Sequence, residues 1–135
     1  MDKEYIFYDY VDADGTGRNV IKDWLDGDGR LAYGHFTRMI PILEATPPGS
    51  GTWGDPYVEV MVNKRHRNWD GFIALRKKKD VHRIIGKRIG RAVYLVATGI
   101  HKGNQRYKTD VSPRTASTRV DQMIAGAKYR SEHEY

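Results

Sequence analysis

The chain has 135 residues, 39% of them hydrophobic and 30% charged, which fits one domain able to bury a core, and its lack of cysteine excludes disulfide frameworks and thiolate zinc sites. The formal charge of +6 is unevenly spread: residues 1–60 hold five Lys/Arg against eleven Asp/Glu, a net of −6, and residues 61–135 hold eighteen against six, a net of +12. That asymmetry predicts a polyanion-binding face in the C-terminal half, and no apolar run approaches the roughly 20 residues of a membrane span. The opening string MDKEYIFYDYVDAD has neither the basic start nor the apolar core of a secretory signal, so a cytoplasmic protein is expected.

Residues 5–11 (YIFYDYV) are aromatic-rich with a β-branched end and read as a strand; DADGTGRN after them is turn chemistry. Asn19 then caps a helix over NVIKDWLD, with Val20 and Trp24, joined by Ile21 and Leu25, on its apolar face, and GDG at 27–29 stops it. Leu31, Phe36, Met39, Ile40 and Leu43 form the stripe of a second helix, which Pro41 is expected to bend and TPPGSG at 46–51 to end. These two helices make a hairpin over residues 19–45 that covers one face of a sheet. The sheet is expected from 57–62 (YVEVMV), 71–77 (GFIALRK), 81–87 (VHRIIGK) and 92–99 (AVYLVATG), an antiparallel meander with KKKD at 77–80 and KRIGR at 87–91 at its hairpin turns. Ser112 and Pro113 open a last helix, with Val120, Met123, Ile124 and Ala127 on one face. The fold class is therefore α+β, in the order β-α-α-β-β-β-β-α over residues 1–135.

Two metal patterns fail on inspection of the residue types. Asp12, Asp14, Thr16, Gly17 and Asp23 follow the spacing of a calcium loop, but the final ligand is Asp and a strand precedes it, so a Gly-rich turn with capping carboxylates is the reading. His35, His66, His82, His101 and His133 have no metal-ligand spacing, and no metal site is expected.

YIFYDYV with GRNVIKDWLD, ILEATPP with PYVEVMV, then FIALR, VHRIIG and YLVATGIHKG follow one another in an order that resembles the RelE/HigB/ParE-like superfamily of small toxins, particularly its phage-associated HigB-like members from toxin–antitoxin systems. The resemblance spans most of the chain. It implies a RelE-like fold and a ribosome-dependent mRNA endoribonuclease using metal-independent acid–base chemistry, without a cofactor. The implied partners are mRNA, the ribosome and a cognate antitoxin, with no membrane. The implied catalytic residues are Arg83 as phosphate clamp, Lys102 as neighbouring charge, Tyr107 for stacking or proton donation, and His101. Arg76, Lys77, Lys78, Lys79, Lys87, Arg88 and Arg106 are the candidate RNA-binding residues; Arg76 has an equal reading as a sheet-ordering ion pair, Tyr107 as a loop anchor, and the lysine run as a solvated turn. His82 alternates with Arg83 and is assigned to the opposite face, in a structural role. Some RelE-like toxins carry lysines on the strand matching GFIALR, where this chain has Phe72 and Ala74, so the general base is open, with His66 and His101 as substitutes. Two other functions fit the same basic half: an RNA-binding module that does not cut, and a toxin-fold protein acting on a protein target such as gyrase.

Overall fold

The computed structural model describes residues 3–47, 49–54, 57–61, 68–77, 79–102 and 107–134. The first strand, β1 (Ile6–Tyr10), alternates as expected, with Phe7 and Asp9 fully buried on one face. Helix α1 (Val20–Asp26) starts where the Asn19 side chain accepts the Lys22 N–H at 2.9 Å. Its seven residues are fewer than the ~12–15 an isolated helix needs in water, so burial of Ile21 and Leu25 holds it in place. The buried face is turned by one residue from the expected Val20–Trp24 stripe, and both of those are half-buried.

A 3-10 turn at Arg30–Ala32 leads into α2 (Tyr33–Glu44), which buries Phe36, Met39, Ile40 and Leu43. Leu31, expected in that stripe, is 83% exposed: the 3-10 turn breaks the helical phase and points Ala32 into the core instead. Pro41 lies inside α2, which continues to Glu44.

Four strands follow, β2 (Val58–Val60), β3 (Ile73–Arg76), β4 (His82–Ile89) and β5 (Ala92–His101), each antiparallel to the next. Two further strands were not expected from sequence: β6 (Tyr107–Thr109), from a segment read as polar loop, and β7 (Arg130–Glu132), which follows α3 (Pro113–Ala125). Among the described residues the sheet runs β2-β3-β4-β5-β1-β7, with β1 parallel to β5 and β6 antiparallel to it. The result is a mixed α+β fold. Residues 87–91 are not all turn: Lys87, Arg88 and Ile89 belong to β4, and a two-residue loop of Gly90 and Arg91 makes the hairpin, with Gly90 at φ +59.

The sheet has a core on each face. Helices α1 and α2 cover Phe7, Val58, Ile73, Leu75, Ile84, Val93 and Leu95. On the other face Ala116, Val120 and Met123 of α3 meet Ala74, Ile85, Val96, Ala97 and Phe72. Ser112 caps α3 by accepting the Thr115 N–H at 3.2 Å. Ile124 and Ala127, expected to face inward, are exposed, because the helix ends at Ala125 and Ile124 lies one residue off the stripe. No helix among the described residues is long and apolar enough to cross a membrane.

A buried pair fastens the C-terminal segment to β1. His133 Nδ1 lies 2.9 Å from Asp9 Oδ1, both residues are almost fully buried, and Asn19 Nδ2 donates to the other oxygen at 3.0 Å. Breaking a buried pair by removing one partner typically costs about 3–5 kcal/mol, because the other is left uncompensated. His133→Ala should therefore lower unfolding free energy by about 3 kcal/mol or more, and adding Asp9→Asn should recover part of the loss; urea denaturation of the single and double variants measures both.

Candidate nucleic-acid interface

Strand register brings together residues that are far apart in sequence. Glu59 sits beside Ala74, Arg76 opposite Arg83, Arg83 opposite Gly99, and His101 opposite Tyr107. Paired residues share a sheet face and alternate residues return to it, so Glu59, Arg76, Arg83, His101 and Tyr107 all rise from the α3 side, where β3 and β5 end and β4 begins.

The Tyr107 hydroxyl donates to Glu59 Oε2 at 2.6 Å, and Arg76 Nη1 lies 3.5 Å from the same oxygen. Burial, then the hydrogen bond and charge of Glu59, raise the Tyr107 phenol far above its ordinary value, against a smaller opposing pull from Arg83. Tyr107 therefore keeps its proton and serves as a hydrogen-bond donor. The His101 ring meets the Tyr107 ring edge-on at 5.7 Å and is half-buried.

Arg83, expected as a clamp at the surface, is only 4% exposed. Its Nη1 donates to the carbonyls of Asp80 at 2.6 Å and His82 at 2.9 Å, and its guanidinium carbon lies 5.8 Å from the Tyr107 ring centre. Gly99, its partner on β5, lets β6 come close: a Cβ there would lie 2.6 Å from the Lys108 carbonyl oxygen. Arg76, partly exposed, is the guanidinium of this group that reaches solvent.

Asp80 shapes the turn that carries Arg83. Its carboxylate accepts the His82 N–H at 2.8 Å and lies 2.6 Å from His82 Nδ1. Burial alone would raise the Asp80 pKa, but the two hydrogen bonds and charge of His82 win and lower it. His82 itself points to the opposite face, where its ring meets Trp24 at 5.9 Å. On β3, the Arg76 carbonyl is held at 3.1 Å by Nε2 of His35, whose pKa burial lowers.

Lys77 and Lys79 are exposed in the β3–β4 turn, and Lys102 is exposed just after β5, so all three lie at the same end of the sheet as Arg76. Two other candidates are elsewhere. Lys87 lies further along β4, its ammonium 5.4 Å from the Phe72 ring, and Arg88 is on the α1–α2 face, over Trp53 at 5.0 Å and Tyr5 at 5.6 Å. Arg88 is thus excluded from this face by strand alternation. Lys78, Arg106 and His66 lie outside the described residues.

No protein-family model, curated protein or solved structure matches the chain.

Among the described residues no three His, Asp or Glu side chains converge as metal ligands. The carboxylates of the calcium-like spacing diverge: Asp12 binds Thr16, Asp14 binds Lys128 and Tyr129, and Asp23 binds Arg18. Sequence reasoning missed Glu59. Its one signal was to be the sole acid in residues 56–69, inside a strand whose alternate positions are valines.

The depressed Asp80 pKa ties stability to pH with a definite sign. A carboxyl lowered in the folded state contributes stability that is fully present above its unfolded value, about 4, and is lost as pH falls through the folded value. Asp80→Asn should flatten that acid-side fall in the urea midpoint.

Proposed function

We propose that this chain is a metal-independent endoribonuclease of the RelE-like toxin kind, cutting messenger RNA held in the ribosome and paired with an antitoxin. The observation that carries the reading is the gathering of a carboxylate, two guanidiniums, an imidazole and a tyrosine at the basic end of one sheet face. The mixed α+β architecture, a strand and helix pair followed by antiparallel strands and a further helix, is compatible with it.

The chemistry follows from the groups present. Glu59 takes the proton of a ribose 2′-hydroxyl, whose oxygen attacks the adjacent phosphorus; the bond to the 5′-oxygen breaks, and His101 returns a proton to that oxygen. A cyclic phosphate and a free 5′-hydroxyl result. Arg76, with Arg83 behind it, offsets the charge that builds on the phosphorane. Tyr107 holds Glu59 in place. The ribosome supplies the alignment of the message for in-line attack, which lets modest acid–base equipment suffice.

Primer extension on ribosome-bound message tests this. Wild type should leave discrete cuts, and Glu59→Gln and His101→Ala should each reduce cutting at least about 100-fold, the usual size of a lost general acid or base. A second reading, binding without cleavage, is favoured by the engagement of Glu59 with Tyr107 and by the burial of Arg83. Folded wild type that binds RNA and makes no cuts would establish it in place of the first.

Both readings require phosphate contacts at this end of the sheet. The logarithm of RNA affinity should fall linearly with that of salt concentration, and Arg76→Ala or Lys102→Ala should each reduce the slope by about one contact. A titration at several salt concentrations reads it directly, and an affinity independent of salt would count against an RNA target.

A further inference from the structure

A second group of aromatic and basic side chains lies on the same sheet face as Arg76 and His101, toward the other end of β4 and β5. Tyr8 of β1 and Tyr94 of β5 are direct register partners, and their rings stack at 5.7 Å with an interplanar angle of 17°. Lys87 is the partner of Tyr94 on β4. On the other side Arg130 of β7 lies 5.6 Å over the Tyr8 ring while its Nη1 donates to the Met123 carbonyl at 2.6 Å. A row of Lys87, Tyr94 and Tyr8 therefore crosses three adjacent strands and ends at Arg130.

Both tyrosines are half-buried at the rim of the α3 core. Among the described residues neither hydroxyl has a hydrogen-bond partner, and neither Lys87 nor Arg130 meets a carboxylate. The row is thus aromatic at its centre and positively charged at its ends. Between it and the Arg76 end stand Ile85 and Ala97, both buried in the α3 core, so the two groups are separate surfaces.

We propose that Tyr94, backed by Tyr8 and bracketed by Lys87 and Arg130, forms a stacking platform for single-stranded RNA. Unpaired bases stack on aromatic rings whatever their identity, and the two cations meet the phosphates that flank them. A duplex hides its base faces and gains only the charge contacts. The inference rests on the RNA-binding part of the proposed function and is independent of cleavage.

The experiment is an anisotropy titration of the full chain with a short labelled single-stranded oligoribonucleotide, with melting curves to check each variant's fold. Tyr94→Leu should weaken binding about tenfold, within the range for one lost stacked base, and Tyr94→Phe, which keeps the ring, should bind like wild type. Lys87→Ala should make the salt slope shallower by about one. Because Tyr94→Leu can perturb the core rim, a thiouridine-containing oligonucleotide crosslinked to wild type gives a second readout, with adducts expected on Tyr8 or Tyr94. Unchanged affinity in folded Tyr94→Leu, adducts confined to the Arg76–His101 end, or no RNA binding by wild type would overturn the platform. A self-association that Tyr94→Leu abolishes while RNA affinity stays unchanged would give the row to a second copy of the chain. Wild-type cutting of ribosome-bound message is scored separately: cuts with Tyr94-independent binding remove the platform alone, and Tyr94-dependent binding without cuts removes the cleavage reading alone.

Discussion

Strand β5 carries two strands end to end along one edge, and the closure of the gap between them supports the rest of the sheet. One edge pairs with β4 along its length; the other pairs first with β1 and then with β6, leaving Val96 to Thr98 without a strand partner. Buried backbone groups left unpaired cost about 1–3 kcal/mol each. Here Arg119 of α3 donates to the Val96 carbonyl at 2.8 Å, and Asp110 bonds Thr98 twice, its carboxylate accepting the Thr98 N–H and its own N–H donating to the carbonyl, each at 2.9 Å. The two side chains lie 3.6 Å apart, and Arg119 also rests on the Tyr10 ring at 4.5 Å. One ion pair thus completes the ladder, docks α3 and sets where β6 ends. The same region holds a β-bulge, where Val96 is the extra residue and Gly86 approaches so closely that a Cβ there would lie 2.7 Å from the Tyr94 carbonyl.

Placement of His101 and Tyr107 depends on that closure, and the electrostatics of the site depend on Arg83. A buried guanidinium is tolerable only when its donors are met, and two backbone carbonyls meet part of that need. Its Nε has no partner among the described residues. No carboxylate among them touches it directly; Glu59 is reached only through the Tyr107 hydroxyl. The surface above Arg83 and Arg76 therefore carries a positive potential that low dielectric strengthens, the setting in which an anion's charge is best offset.

Elements with strong local signals were legible in the sequence. Asn19 and Ser112 cap the helices they were expected to cap, and the four central strands lie within a few residues of their hydrophobic runs. What escaped was set by long-range pairing. Residues 107–109 carry no strand signal and become β6 because β5 extends far enough to offer an open edge; residues 130–132 become β7 because Asp9 needs His133. The site was half legible for the same reason. Arg76, His101 and Tyr107 could be named from their strings, but Glu59 meets Tyr107 only across 48 positions of sequence, and the Tyr107 ring that covers Arg83 comes from another strand.

The charge asymmetry between the halves has two physical outcomes, and only one concerns a ligand. Part of it is consumed inside the molecule: Glu4 pairs with Arg91, Asp14 with Lys128, Asp9 with His133 and Glu59 with Arg76, each joining an acid of the N-terminal half to a base of the C-terminal half. The exposed two of these, Glu4–Arg91 and Asp14–Lys128, contribute little stability, so their main effect is to neutralise the flanks of the molecule. Among the described residues Lys77, Lys79 and Lys102 have no ion pair, and they stand around the end of the sheet where Arg76 and Arg83 lie. Lys87 and Arg130, toward the other end of the same face, likewise meet no carboxylate among the described residues, so pairing between the halves leaves positive charge at both places. The net of +12 in residues 61–135 therefore overstates the basic surface.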